Sequence, residues 1–395
     1  MNESRLKKIT VVVHYSVFPP RGGGQNRIFY MYKEIAKFIN VEIVTLVHEN
    51  KKKDKVKIAE NLWEIRIPKT KKFARKEWRI FRKVGIPVTD IAVLFYASEL
   101  KEYIHAFKKS ALTSDCIIAS HPFAYELVKN NCNKPIIYES HNVEYNLKQQ
   151  IFTDCKITDR ILSAIFDIEK QACRETILTT VCTLEDAERM KNLYGLQKKN
   201  ILEIPNGFDP VSVQFQNLEE RKKNKYQLGL ESTVIALFIG SWHQPNIDAV
   251  YKILEMANQK KKIIFIIIGS VGHYFAAKKY PSNVGFMGVV DDEVKKITYG
   301  VVDVALNPMM SGSGSNLKIL DYIAAGIPVI TTHTGIRGLL DIPDNSLKIC
   351  DISMFNECIE TYCRNSDTVK SYEYVNKKYT WAKIAQKFLK SLQKI

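Results

Sequence analysis

The sequence predicts an α/β protein of two domains, each a Rossmann-like, doubly wound parallel sheet, and three observations lead there. First, an apolar run at Ile9 to Val13, a glycine loop, a helix from about Asn26 to Asn40 and a second apolar run at Val41 to Val47 make a βαβ opening, the signature of a parallel sheet. Second, the same alternation restarts at Thr233 to Ile239. Third, I-P-N-G-F-D (Ile204 to Asp209) is a turn sequence, and the chain after it is polar and charged up to Leu230. The boundary therefore falls here, giving domains 1–205 and 206–378 and a terminal helix over 379–395. A chain of 395 residues is long enough for two cores.

In order along the first half, the loop V-F-P-P-R-G-G-G-Q-N-R follows the first strand. Gly22, Gly23 and Gly24 let the backbone approach a ligand at that strand's carboxyl end, where open α/β sheets bind. Lys69 to Lys83 carries eight basic residues in fifteen, interleaved with Phe73, Trp78, Ile80 and Phe81. Its apolar positions keep no clean helical stripe, so it reads either as a solvated segment or as a contact for an anionic membrane. Asp115 to Ser120 and Pro135 to Glu139 read as strands ending in the histidine loops A-S-H-P-F-A and Y-E-S-H-N-V-E, which carry His121 and His141. Ser163 to Thr176 is a helix and Leu178 to Cys182 a strand, after which Thr183 with Asp186 forms a helix cap.

In the second half, F-I-G-S-W-H-Q-P-N leads from the first strand into a helix, and Gly240 and Ser241 form its loop. Lys261 to Ile268 and Val284 to Met287 are strands, and Asp291 and Asp292 open a helix as a cap. Near the end Trp381, Ile384, Phe388 and Leu392 share one helical face.

The stretch Asn307 to Thr331, N-P-M-M-S-G-S-G-S-N-L-K-I-L-D-Y-I-A-A-G-I-P-V-I-T, carries the chemistry. An apolar strand (301–306) runs into a Gly/Ser loop (311–315) and then a helix stopped by Gly326 and Pro328. The unpaired amides and dipole of a helix N-terminus receive a phosphate, Lys318 adds a full charge, and Asp321 lies one turn on, where a carboxylate can accept from ribose hydroxyls. The stretch resembles the donor-binding signature of the family 4 glycosyltransferases of the GT-B fold, in particular G-S-G-x-x-L-K-x-L-E-x-x-A-A-G-x-P-V, and the resemblance extends in weaker form over nearly the whole chain.

The resemblance implies two Rossmann-like domains facing across a cleft, with the terminal helix crossing back to the first. It implies retaining, metal-independent transfer of a sugar from a nucleotide-diphosphate-sugar to a hydroxyl of a lipid-linked or polysaccharide acceptor, with no cofactor. By resemblance His141 and Lys318 are catalytic. Gly23, Gly24, Gly240, Ser241, Ser313, Gly314, Ser315, Asn316, Leu317 and Lys318 hold the donor diphosphate and sugar, and Val289, Val290 and Asp321 the base and ribose. Ser313 and Asp321 stand where the family has paired glutamates. An arginine and a lysine that commonly follow the strand are absent from G-S-W-H-Q-P-N, which shifts the diphosphate charge onto Lys318, with His243 or Arg21 as helpers.

The formal net charge of +16 predicts attraction to an anionic partner. No RNA-binding signature is present, so nucleic acid is not an expected partner. The eight cysteines form no C-x-x-C pair, which favours core thiols in a reducing cytoplasm. The apolar run before His14 lacks a signal-peptide core, and no stretch reaches the ~18 apolar residues of a membrane span, so membrane association is expected to be peripheral. Two other functions fit the sequence: a nucleotide-sugar epimerase of the same fold, and a non-catalytic polyanion-binding protein.

Overall fold

Six residues at the start, K-I-T-V-V-V, are buried along nearly their whole length, and this makes β1 (Lys8–Val13) a central strand. The structure is a computed structural model and describes residues 6–153, 156–196, 200–312, 314–339, 341–343, 346–362 and 368–394. After β1 come β2 (Asn40–Val47), β3 (Asp54–Ala59), β4 (Leu62–Pro68), β5 (Cys116–Ser120), β6 (Ile136–Glu139), β7 (Leu178–Val181) and β8 (Ile201–Glu203). They form an eight-stranded sheet in the order β3-β4-β2-β1-β5-β6-β7-β8. Every pairing is parallel except β3 with β4.

A second sheet is built from β9 (Val234–Ile239), β10 (Ile263–Ile268), β11 (Val284–Gly288), β12 (Val304–Asn307), β13 (Val329–Thr331) and β14 (Leu347–Ile349). Its order is β11-β10-β9-β12-β13-β14, parallel throughout. The chain divides into two compact units: Met1–Pro205 with Ile384–Ile395, and Asn206–Lys383. Both are helix–sheet–helix layers; in the second unit separate apolar clusters pack the two faces of the sheet, while in the first two clusters lie side by side on the face that carries Val12, Ile117, Ala119 and Tyr138. In the terminal helix Trp381–Leu392, the side chains of Ile384, Phe388 and Leu392 are all buried.

Several elements differ from the sequence reading. The first helix spans Gly23–Ile35, so the glycines lie in its first turn rather than ahead of it. The basic stretch is a regular helix, Lys71–Val84, capped by the Thr70 hydroxyl at its start and by Gly85 in the left-handed conformation at its end. Its apolar stripe runs through Phe73, Ile80, Phe81 and Val84. The stripe is broken at Glu77, which fills an inward position because Lys69 pairs with it at 2.8 Å and the Thr89 hydroxyl donates to it. The helix at 163–176 begins earlier, over Lys156–Glu175. The expected caps are present: Thr183 accepts from the Asp186 amide at 3.0 Å and Asp291 from that of Val294 at 2.8 Å.

Arg27 and Glu139 are both buried, with Arg27 Nε 3.5 Å from Glu139 Oε1, and the guanidinium also donates to the Pro205 carbonyl at 3.2 Å. Burial alone would raise the Glu139 carboxyl, but His141, 3.5 Å away, and after it Arg27 and Ser120 hold it down at about 2. Because that lies below the unfolded value of ~4.3, ionised Glu139 stabilises the fold above that pH, and the contribution is lost as pH falls toward 2. Arg27→Met strands a buried carboxylate and should cost ~3–5 kcal/mol by urea unfolding. The double variant Arg27→Met/Glu139→Gln should recover part of that loss.

Candidate active site

Sheet order fixes where ligands can enter. In the second unit β9 lies between β10 and β12, so the connections leave in opposite directions at β9/β12, the switch point where open sheets bind. The loops there are Gly240–Ser241 after β9 and the Gly/Ser loop after β12. Gly314 has φ +67°, a left-handed turn that glycine adopts without strain. The loop leads into the helix Leu317–Ala324, which has Asn316 as its cap residue. Ser315 Oγ accepts from Asn206 at 2.8 Å, and Asn316 donates to the Gly335 carbonyl at 2.7 Å. Ser313 lies outside the described residues.

Lys318 Nζ donates to Asn246 Oδ1 at 2.9 Å and stands 4.2 Å above the Phe238 ring. Asn246 in turn donates to the Ser241 carbonyl at 2.9 Å, linking the two loops. No carboxylate pairs with Lys318 among the described residues. Part of the residue remains exposed, yet desolvation of its ammonium lowers its pKa to about 7. Arg337, in the turn after β13, donates to the Gly314 carbonyl at 3.4 Å and would lie 3.2 Å from a Cβ at Gly312. A cation thus stands at the glycine loop from a segment that the sequence reading did not single out.

Asp321 Oδ2 accepts from Lys295 at 2.8 Å. The carboxylate proposed for ribose is therefore already shared with a lysine from the preceding helix, and its Oδ1 makes no hydrogen bond among the described residues. Val289 is exposed and Val290 packs partly into the core, both just after β11. His243 is the cap residue of the helix Gln244–Gln259.

In the first unit the switch point is β1/β5, and it gathers His14, Tyr15, His121 and His141. The His121 and His141 rings are 4.2 Å apart, and His14 meets His121 edge-on at 5.2 Å. His121 Nδ1 bonds Glu144 at 2.8 Å and its Nε2 bonds the Tyr15 hydroxyl at 3.0 Å. His121 has φ +66° and ψ 157°, a region that costs a non-glycine residue ~1–3 kcal/mol and that recurs at functional sites. His141 Nε2 bonds Ser120 Oγ at 3.1 Å, while its Nδ1 is buried with no partner among the described residues. Burial and the neighbouring His121 lower His141 to about 4, so it is a neutral imidazole at pH 7.

Gly24 is in the first helical turn, exposed Gly23 precedes it, and Arg21 is exposed just before the helix. A Cβ on Gly24 would lie 2.7 Å from the Tyr15 hydroxyl and 3.5 Å from His141 Nδ1. The glycine and the histidine therefore share one spot. Tyr15 and Glu144, which orient His121, carried no sequence signal: only the pairing of β1 with β5 and of β5 with β6 brings them together.

Residues 233–365 match the family described as glycosyl transferases group 1. Similar solved structures cover the chain end to end. Sucrose-phosphate synthase from Thermosynechococcus elongatus aligns at TM-score 0.75 and 15% identity, over 98% of both chains. HepE from Anabaena, in complex with UDP and glucose, aligns at 0.70 and 13%, over 98% of this chain and 100% of that one. WaaG, a glycosyltransferase involved in lipopolysaccharide biosynthesis, aligns at 0.66 and 14%, over 96% and 98%. The fold is GT-B, and the match to the group 1 glycosyltransferase family lies within the second unit. No curated protein matches the chain by sequence.

In this GT-B chain the Gly24 backbone is a steric requirement. Gly24→Ala should push Tyr15 away from His121 and cost ~1–3 kcal/mol, measured by urea unfolding.

Proposed function

We propose that the protein is a retaining glycosyltransferase that moves a sugar from a nucleotide-diphosphate-sugar to an acceptor hydroxyl. The observation that carries this reading is Lys318, a desolvated amine at a helix N-terminus with no carboxylate partner among the described residues. Such a group is costly unless an anion completes it, and the glycine loop beside it offers amides to the same anion. A donor diphosphate would meet Lys318 and the amides of Gly314 to Leu317, with Arg337 as a further cation. The HepE structure holds UDP and glucose, which makes UDP the first nucleotide to try.

In the transfer the bond from the anomeric carbon to the diphosphate oxygen breaks, and a bond to the acceptor oxygen forms on the same face. The acceptor proton goes to the departing diphosphate. Lys318 and the loop amides stabilise the developing charge; His141, in the first unit, is assigned to the reaction by resemblance alone.

A melting-temperature screen of nucleoside diphosphates and nucleotide-sugars ranks the base and sugar by mass action. Lys318→Ala and His141→Ala should each lower donor turnover by ~10²–10³-fold. Unchanged turnover in both would end this reading. Sugar isomerisation without acceptor would point instead to an epimerase.

The depressed lysine has a further signature. Binding a diphosphate raises its pKa again, so at pH 8 up to about one proton should be taken up per nucleotide, and affinity should fall as pH rises above 7. Calorimetry in buffers of different ionisation enthalpy reads this uptake, and Lys318→Gln should remove it.

The acceptor side favours a membrane-borne substrate, and no helix among the described residues is long and apolar enough to cross a membrane. The helix Lys71–Val84 exposes Lys71, Lys72, Arg75, Arg79, Arg82 and Lys83 around Trp78, itself 57% exposed. Cations around an aromatic anchor suit the peripheral docking expected on an anionic cytoplasmic leaflet. At ~1 kcal/mol per cation, the triple variant Arg75→Gln/Arg79→Gln/Lys83→Gln should weaken binding to phosphatidylserine vesicles roughly a hundredfold, read by sedimentation at low salt.

A further inference from the structure

Two cavities of the first unit adjoin each other and differ in character. One, of about 800 Å³, is walled by His14 and Tyr15 after β1, by Lys51, Lys52 and Lys53 after β2, and by Arg66 from β4. The other, a groove of about 600 Å³, is walled by Ala74, Trp78 and Phe81 of the basic helix and by Pro87 and Val88. His48 and Lys69 line both.

The charges of the first pocket are not all available. Lys53 pairs with Glu102 at 2.8 Å, Arg66 with Glu64 at 2.7 Å and Lys69 with Glu77 at 2.8 Å, and Asp54 is also in the wall. Lys51 and Lys52 are exposed and have no carboxylate partner among the described residues. A turn presents them: the Lys51 amide donates to the His48 carbonyl at 2.9 Å, and the Asn50 amide to His48 Nδ1 at 3.2 Å. At the inner wall His14 Nδ1 is buried without a partner among the described residues. Burial, with His121 adding to it, lowers the His14 pKa, so its ring is neutral and suited to a hydroxyl rather than to the anion. The groove beyond adds aromatic walls, with the Trp78 and Phe81 rings stacked at 5.1 Å.

We propose that these cavities are one acceptor site, and that the acceptor is a saccharide carried on a phosphorylated lipid. Its phosphoryl group is met by Lys51 and Lys52, its apolar chain lies along Trp78 and Phe81, and its hydroxyl end is next to His14 and Tyr15. Charge complementarity selects the phosphate: an uncharged glycan leaves the two lysines idle, and a free sugar phosphate leaves the groove empty. The inference rests on the transferase reading and deepens it by naming the acceptor's class.

The test uses farnesyl phosphate, farnesol and inorganic phosphate as probes, titrated calorimetrically into the full-length protein. Farnesyl phosphate should bind at least tenfold more tightly than either of the others. Lys51→Gln/Lys52→Gln should remove its advantage over farnesol, and Trp78→Ala its advantage over phosphate. All three residues are exposed, and an unchanged melting temperature confirms that the variants fold. Equal binding of farnesyl phosphate and farnesol, equal binding of farnesyl phosphate and phosphate, or variants that bind like the wild type would each overturn the proposal. UDP binding by the wild-type protein is measured alongside. UDP bound without a preference for farnesyl phosphate defeats the acceptor inference alone, whereas no nucleotide bound at all defeats the reading beneath it.

Discussion

A parallel sheet covered by helices on both faces has no free surface for chemistry except at the ends of its strands. Both sheets here are built that way, and the constraint decides the rest. Each central strand must be apolar along its length, so polar residues are pushed into the loops at its carboxyl end. His14 and Tyr15 follow β1, Gly240 and Ser241 follow β9, and the Gly/Ser loop follows β12. The strand orders put these loops at the two places where neighbouring connections diverge. The glycines there exist for close approach, and at Gly24 the space for a side chain is already taken by Tyr15.

The two units treat buried charge in opposite ways. In the first, the Arg27 and Glu139 charges face each other and Lys148 pairs with Asp90, while two of the clustered histidines, His14 and His141, are kept neutral. That region is electrostatically closed and suited to orienting hydroxyls. In the second, Lys318 faces an amide oxygen and an aromatic ring in place of a carboxylate. It is open to an anion.

Much of this was legible in the sequence because apolar runs, glycines and prolines are local signals. The βαβ openings, the Thr183 and Asp291 caps and the loop leading to Lys318 could all be read that way. What escaped depends on distance in the chain. Glu77 concealed the apolar stripe of the basic helix, because its partners Lys69 and Thr89 lie outside the helical repeat. The strand D-K-V-K-I-A pairs antiparallel at the sheet edge, where little burial shapes its composition. Lys295 beside Asp321, Asn246 beside Lys318 and Arg337 beside Gly314 are each set by strand order and could not be found by spacing. His121 is marked by its backbone conformation and by its bonds to Glu144 and Tyr15, neither of which spacing in the chain could show.

The first unit is discontinuous: it takes its last helix from the final residues of the chain, after the whole of the second unit. Ile384, Phe388 and Leu392 are buried there. During synthesis the second unit therefore has all of its residues before the first does. Until residues 384–395 have emerged, the early-made half lacks the helix that completes it and stays exposed to chaperones and proteases.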